Sequence, residues 1–146
     1  MHNPNQTPNW QGELIAAAIE AQKFAYVPYS NFRVGAALLC DSGLVFSGCN
    51  IENAAYSPTL CAERTALAKA ISQGQQNFKA IAVIGGCADI AEEDADYAYP
   101  CGVCRQWLAE FCAPDFIILA AKSATDYKQL TLAELLPHSF GPGHLK

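Results

Sequence analysis

A chain of 146 residues with 51% hydrophobic and 16% charged residues can bury one sizeable core and is too short for two ordinary domains. Its net charge is −5 and its nine Lys/Arg residues are scattered, which argues against DNA or long RNA as a partner, because polyanion binding needs clustered cations. No apolar run nears the roughly 20 residues that span a bilayer. The opening "MHNPNQTPNWQGE" lacks a basic start and an apolar core, so no membrane partner and a cytoplasmic location are the expectations.

In chain order, residues 1–9 are polar, carry two prolines and read as a flexible lead-in. "WQGELIAAAIEAQKFAYV" predicts a helix from Trp10 to about Val27, with Leu14, Ala18 and Ala21 or Ala25 at helical spacing and Pro28 stopping it. "FRVGAALLC" and "GLVFSGCNI" predict strands over about 32–40 and 43–51, joined as a hairpin by the turn residues "DSG". After the loop "ENAAYSPT", a helix is expected from near Leu60 to near Gly74, where glycine suits the C-terminal cap. "FKAIAVIGG" (78–86) predicts a buried strand, and the acidic run "EEDAD" that follows reads as a solvated loop. A third helix is expected from Pro100 to about Cys112. "DFIILAA" then predicts a buried strand, "YKQLT" an edge strand, and "LAELLPHSF" a short last helix and tail. There is no repeat or linker, so residues 1–146 read as one domain with its core over about 14–142. Helices alternating with buried strands imply an α/β fold: a single mixed sheet of about five strands, covered by helices on both faces.

Seven cysteines, at 40, 49, 61, 87, 101, 104 and 112, are an odd number in a chain expected in a reducing compartment, which argues against a disulfide framework. Two stretches stand out, "CAE" at 61–63 and "PCGVC" at 100–104. Cys101 and Cys104 are three residues apart, which at a helix start puts both sulfurs on one face. Pro100 fits the entry to the first turn, and the positive end of the helix favours thiolate. By itself a C-x-x-C pair is open between zinc, redox chemistry and coincidence. Cys61 repeats the arrangement at the start of another helix. If the two helix starts align, three thiolates converge, the ligand count of a catalytic zinc site with a fourth position left for water. Glu63 then has a task as proton carrier; alone it would be an ordinary first-turn acid. Zn²⁺ with three thiolates sums to about −1 and needs compensating cations. Arg64 and Arg105 each adjoin a candidate ligand or its neighbour and suit that role, although each could be a plain surface arginine. His2, His138 and His144 lie near the termini and are not expected to be ligands, and Cys40, Cys49, Cys87 and Cys112 read as small core residues.

"CAERTA" and "PCGVCRQ", with "PYSNFRVGAALL", "GCNIENAAY" and "ELLPHSFGP" in the same order, resemble the cytidine deaminase family of zinc-dependent nucleoside deaminases, in its small homotetrameric form. The resemblance covers residues 14–142. It implies the three-layer α/β/α fold of that family, one zinc ion per chain on Cys61, Cys101 and Cys104, and Glu63 as the proton shuttle. It further implies that Phe32 and Ala62 line the pyrimidine pocket, that Asn50 and Glu52 bind the ribose hydroxyls, and that Ala54, Tyr56 and Phe140 complete a neighbouring subunit's pocket in a homotetramer. Read from the residues alone, Phe32 could be strand core, Asn50 and Glu52 an exposed strand end, and Phe140 tail packing. The implied activity is hydrolytic deamination of cytidine and 2′-deoxycytidine to the uridines in pyrimidine salvage. The rivals are a same-fold deaminase of another aminopyrimidine nucleoside, such as an antibiotic, and a structural zinc or redox module. The chain departs from the family pattern in a longer acidic insert at 87–99 and in "AYP", where serine often precedes the proline.

Overall fold

The run "FRVGAALLC" has no polar residue between Arg33 and its terminal cysteine, as expected of a strand covered on both faces, and it forms an interior strand, β1 (Phe32–Cys40). A computed structural model of the chain describes residues 9–87 and 95–146. The expected lead-in up to residue 8, His2 and most of the acidic run lie outside the described residues. The elements are α1 (Trp10–Gln22), β1, β2 (Val45–Cys49), α2 (Ala62–Ser72), β3 (Phe78–Cys87), α3 (Gly102–Phe111), β4 (Ile117–Ala121), β5 (Tyr127–Thr131), the short α4 (Leu132–Leu135) and a 3-10 turn at Pro142–His144. One five-stranded sheet runs in the order β2-β1-β3-β4-β5. Only the β3–β4 pair is parallel. A parallel pair needs a crossover, and α3 supplies it.

Side chains alternate across each strand and divide the core in two. Ala37, Leu39, Ala80, Ala82 and Leu119 face Leu14, Ile15 and Ala18 of α1. Leu38, Cys40, Ile81, Val83 and Ile118 face Ala66 and Leu67 of α2 and Leu108 of α3. Helices therefore cover both faces of one mixed sheet, as expected. The layers approach closely at glycines. A Cβ on Gly35 would lie 2.0 Å from the Ala18 carbonyl oxygen in α1, and one on Gly48 would lie 2.6 Å from the Ala66 nitrogen in α2.

Several boundaries differ from expectation. The first helix stops at Gln22, well before Val27. The backbone of Tyr26 instead joins the sheet edge, its N–H donating to Asn50 and its carbonyl accepting from Glu52. The residue before a proline avoids the helical region, which favours extended backbone at Val27. Arg33 holds the turn by donating from Nη1 to the Ala25 carbonyl at 2.7 Å. β2 is shorter than 43–51, because the turn takes Gly43 (φ 92°) and the side-chain amide of Asn50 takes over from the ladder at the other end. α2 ends as predicted around Gly74 (φ 90°), with the Gln75 N–H reaching the Ala70 carbonyl and the Gly74 N–H that of Ile71, the two bonds of a Schellman motif. β4 begins at Ile117, since Phe116 closes a turn onto the Ala113 carbonyl. Of the other cysteines, Cys40 is fully buried, while Cys49, Cys87 and Cys112 are half-buried.

Candidate metal centre and active site

α2 and α3 begin at the same end of the sheet, and each begins at a cysteine. Cys61 and Cys101 are their N-caps, both in extended backbone, and Cys104 sits in the first turn of α3. The positive ends of two helices thus lie at the cysteines, which lowers the cost of thiolate charge, although neither capping side chain accepts a cap hydrogen bond. The Cys61 and Cys101 sulfurs are 3.8 Å apart, and those of Cys101 and Cys104 are 3.6 Å apart. All three lie within 4.8 Å of one another. Sulfurs sharing one tetrahedral zinc at about 2.3 Å stand about 3.8 Å apart, whereas a disulfide needs about 2.05 Å. The spacing fits a common ion and excludes a bond between sulfurs. Among the described residues this is the only such group of potential ligands. His138 and His144 do not join it; His144 stacks on Phe140 with ring centroids 5.1 Å apart.

The sulfurs are electrostatically prepared. The Cys61 thiol is pulled down to about 5, first by a hydrogen bond from Cys104 and then by Arg64, against the opposing effect of burial. Cys104, as the donor in that bond and buried as well, is raised. A bound divalent cation would take all three to thiolate. Arg64 donates from Nη2 to the Cys61 sulfur at 3.3 Å and to the Thr59 carbonyl at 3.4 Å. Its Nε is buried without a hydrogen-bond partner. Arg105 departs from its expected role. Its Nε donates to the Pro100 carbonyl and its Nη1 to the Leu135 carbonyl, each at 2.7 Å. It ties the entry of α3 to α4 and reaches the sulfurs only through the backbone it holds.

Glu63 is 4% exposed, and it alone among the described charged residues is buried. Burial pushes its carboxyl up to about 7, although its own backbone N–H pulls the other way. A carboxyl poised near neutrality can both take and return a proton. Its position is fixed by helix geometry. Two residues after the Cys61 cap, on the buried side of α2, it shares the wall of one cavity with Cys61, Ala62 and Cys101.

That cavity has a volume of about 330 Å³, at the small end of small-molecule sites. Phe32, Val34 and Val83 supply apolar surface, and Asn50 and Thr59 the polar rim. Phe32 is 43% exposed, so it is not strand core; it lines the cavity, with its ring against Gly85. Asn50 is already engaged, with Oδ1 accepting from the Val34 N–H and Nδ2 donating to the Phe32 carbonyl, both at 2.9 Å. One Nδ2 hydrogen and one Oδ1 lone pair remain for a ligand. Glu52 lies in a neighbouring groove with Tyr29, Ser30 and Tyr56. Its Oε1 accepts from the N–H groups of Tyr29 (3.0 Å) and Ser30 (3.1 Å), and Oε2 accepts from the Ser30 hydroxyl. These bonds hold its carboxyl below the usual range, the Ser30 hydroxyl first. Ala54, Tyr56 and Phe140 are exposed and do not line this chain's own cavity. Tyr56, with φ 61°, meets Tyr29 edge-to-face at 6.4 Å. The Phe140 carbonyl is held by Gln106 Nε2 at 2.8 Å.

The departures at 87–99 and "AYP" bear on the pocket rim, but the sequence reading named none of Tyr97, Ala98 and Tyr99 as the lining residues they are. Two tyrosines just before the proline-cysteine pair were the available signal, in a stretch that lacks any periodicity.

Comparison with known proteins fits this geometry. The family described as "Cytidine and deoxycytidylate deaminase zinc-binding region" matches residues 8–120. A cytidine deaminase of Sporosarcina psychrophila is 48% identical over 128 residues, covering 88% of this chain and 89% of that protein. One of Halalkalibacterium halodurans is 49% identical over 127 residues, covering 87% and 91%. The crystal structure of cytidine deaminase from Burkholderia pseudomallei superposes with a TM-score of 0.78 at 42% identity, covering 88% of this chain and 97% of that one.

Proposed function

The chain belongs to the cytidine and deoxycytidylate deaminase family, and from that premise we propose that it hydrolyses the 4-amino group of cytidine, and of 2′-deoxycytidine, to give the uridine and ammonia. The observation that carries this reading is a buried carboxyl, Glu63, that lines a small, largely apolar cavity together with Cys61 and Cys101, two of three sulfurs at metal-sharing distances. Cys61, Cys101 and Cys104 would hold the zinc ion. Once bound, it supplies the Lewis acidity that makes water a nucleophile at neutral pH.

This chain's own residues do the rest. Glu63 accepts a proton from the attacking water and hands it to N3 of the base as the C4–O bond forms. It then carries the second proton to the departing nitrogen as the C4–N bond breaks, so that one water is consumed and one ammonia released. Arg64 offsets thiolate charge at Cys61. Phe32 and Ala62 enclose the base and displace water from around the carboxyl, which strengthens every polar contact there. Asn50 has a donor and an acceptor left to offer a ribose hydroxyl. Glu52, with three of about four acceptor positions occupied, has room for one more. We further propose a homotetramer, in which Ala54, Tyr56 and Phe140 leave their own cavity alone and close a neighbour's, and a place in cytoplasmic pyrimidine salvage. Exposed aromatic side chains at Tyr56 and Phe140 support that assembly.

The direct test is incubation of purified protein with cytidine, following uridine and ammonia with and without a chelator. Equal amounts of the two products, abolished by the chelator and restored by zinc, are expected. No product from zinc-loaded protein would overturn the assignment. Light scattering that gave the mass of a single chain would overturn the shared pocket.

A further inference from the structure

One segment of the cavity lining is tied to the turn between two strands of the sheet. Residues Tyr97 to Tyr99 line the cavity with Phe32 and Asn50 but belong to no helix or strand. The side chain of Tyr97 leaves this wall and reaches the turn between β4 and β5. Its hydroxyl donates to Asp126 Oδ1 at 2.7 Å. Lys122 Nζ lies 4.8 Å, and Lys128 Nζ 5.1 Å, from the centre of its ring. The receiving turn is itself fixed. The Lys122 N–H donates to the Asp126 carbonyl at 2.9 Å, and the Asp126 N–H to the Ser123 hydroxyl at 3.0 Å.

Resting on the deaminase reading above, we propose that Tyr97 is a positioning residue for substrate, a peg that holds the 97–99 wall of the nucleoside pocket in a socket made by Asp126, Lys122 and Lys128. Asp126 touches neither the cavity nor the sulfurs, so the β4–β5 turn sets how tightly the pocket closes without taking part in the chemistry. A hydroxyl-to-carboxylate hydrogen bond is among the stronger neutral-donor contacts, and because this one is exposed its loss is expected to cost no more than a single such bond. Its loss lets the wall move and weakens ground-state and transition-state binding alike, which appears in KM and not in kcat.

The test uses the zinc-loaded protein and a double-mutant cycle. Tyr97→Phe and Asp126→Ala are each expected to raise KM for cytidine about fivefold, on the order of one charge-assisted hydrogen bond, with kcat within about twofold and zinc content unchanged. The double variant is expected to match the singles and not multiply them. Asp126→Asn, which keeps an acceptor, is expected to restore most of the affinity. Unchanged KM in both single variants, multiplicative losses in the double, or a fall in kcat alone would overturn the peg. Wild-type turnover is the control that separates the two levels. Its absence overturns the deaminase reading and this proposal together, whereas wild-type turnover with an indifferent Tyr97→Phe overturns the peg alone.

Discussion

Cys61 and Cys101 occupy equivalent places in two helices. Each is the N-cap, with backbone angles of φ −72°, ψ 152° and φ −69°, ψ 169°, and an arginine follows within four residues of each. The two arginines nonetheless do different work. Arg64 points its guanidinium at the Cys61 sulfur. Arg105 turns away and grips two backbone carbonyls, one of them 30 residues further on in α4. A guanidinium goes where acceptors are fixed in its own fork geometry, and here tertiary placement decides which acceptors those are. On the proposed function, the α2 start would carry charge compensation and the proton carrier, and the α3 start two ligands beside a backbone clamp.

That contrast can be broken or sharpened by substitution. The largest effect is shared by both starts. Cys61→Ala and Cys101→Ala are each expected to strip zinc and bring turnover to background, as measured by metal analysis beside uridine formation, and retention of zinc and rate in either would remove that sulfur from the site. The arginines should then separate. Arg64→Ala is expected to cost about 10- to 100-fold in zinc affinity or turnover, the usual penalty for removing a group that supports a metal ligand; competition with a chelator would detect it. Arg105→Ala is expected to lower the unfolding free energy by about 2 kcal/mol through loss of charged hydrogen bonds to carbonyls, with the turnover of the surviving zinc-loaded protein within about threefold. Equal behaviour of the two variants in both assays would erase the distinction. The smallest effect expected is the fivefold change in KM at Tyr97.

How far the sequence foresaw this depends on whether a signal was local. The strands were legible, because β1, β3 and β4 carry uninterrupted apolar residues and the Asp-Ser-Gly turn needs a glycine at positive φ. The cysteine caps were legible too, since Pro100 and the spacing of Cys101 and Cys104 belong to a single helix start. What failed was information that arrives from elsewhere in the chain. The overrun of α1 past Gln22 could not be seen in a stretch full of helix formers, because the competing partner is the backbone at Asn50 and Glu52. The hydrogen-bond partners of Arg105 were hidden for the same reason, one of its two acceptors lying in α4. Asn50 and Glu52 read from the residues alone as one exposed strand end, yet β2 ends at Cys49, and the Glu52 carboxylate turns to the Tyr29–Ser30 backbone.

The proposed function requires a buried carboxyl to move protons beside a metal held by three sulfurs. The most direct test is therefore Glu63→Gln, with bound zinc and cytidine turnover measured on one preparation. The predicted result is a folded protein that keeps one zinc ion per chain and loses turnover by about 10²- to 10⁴-fold, the range of a removed general acid–base. Turnover within a factor of a few of wild type, with zinc in place, would contradict it.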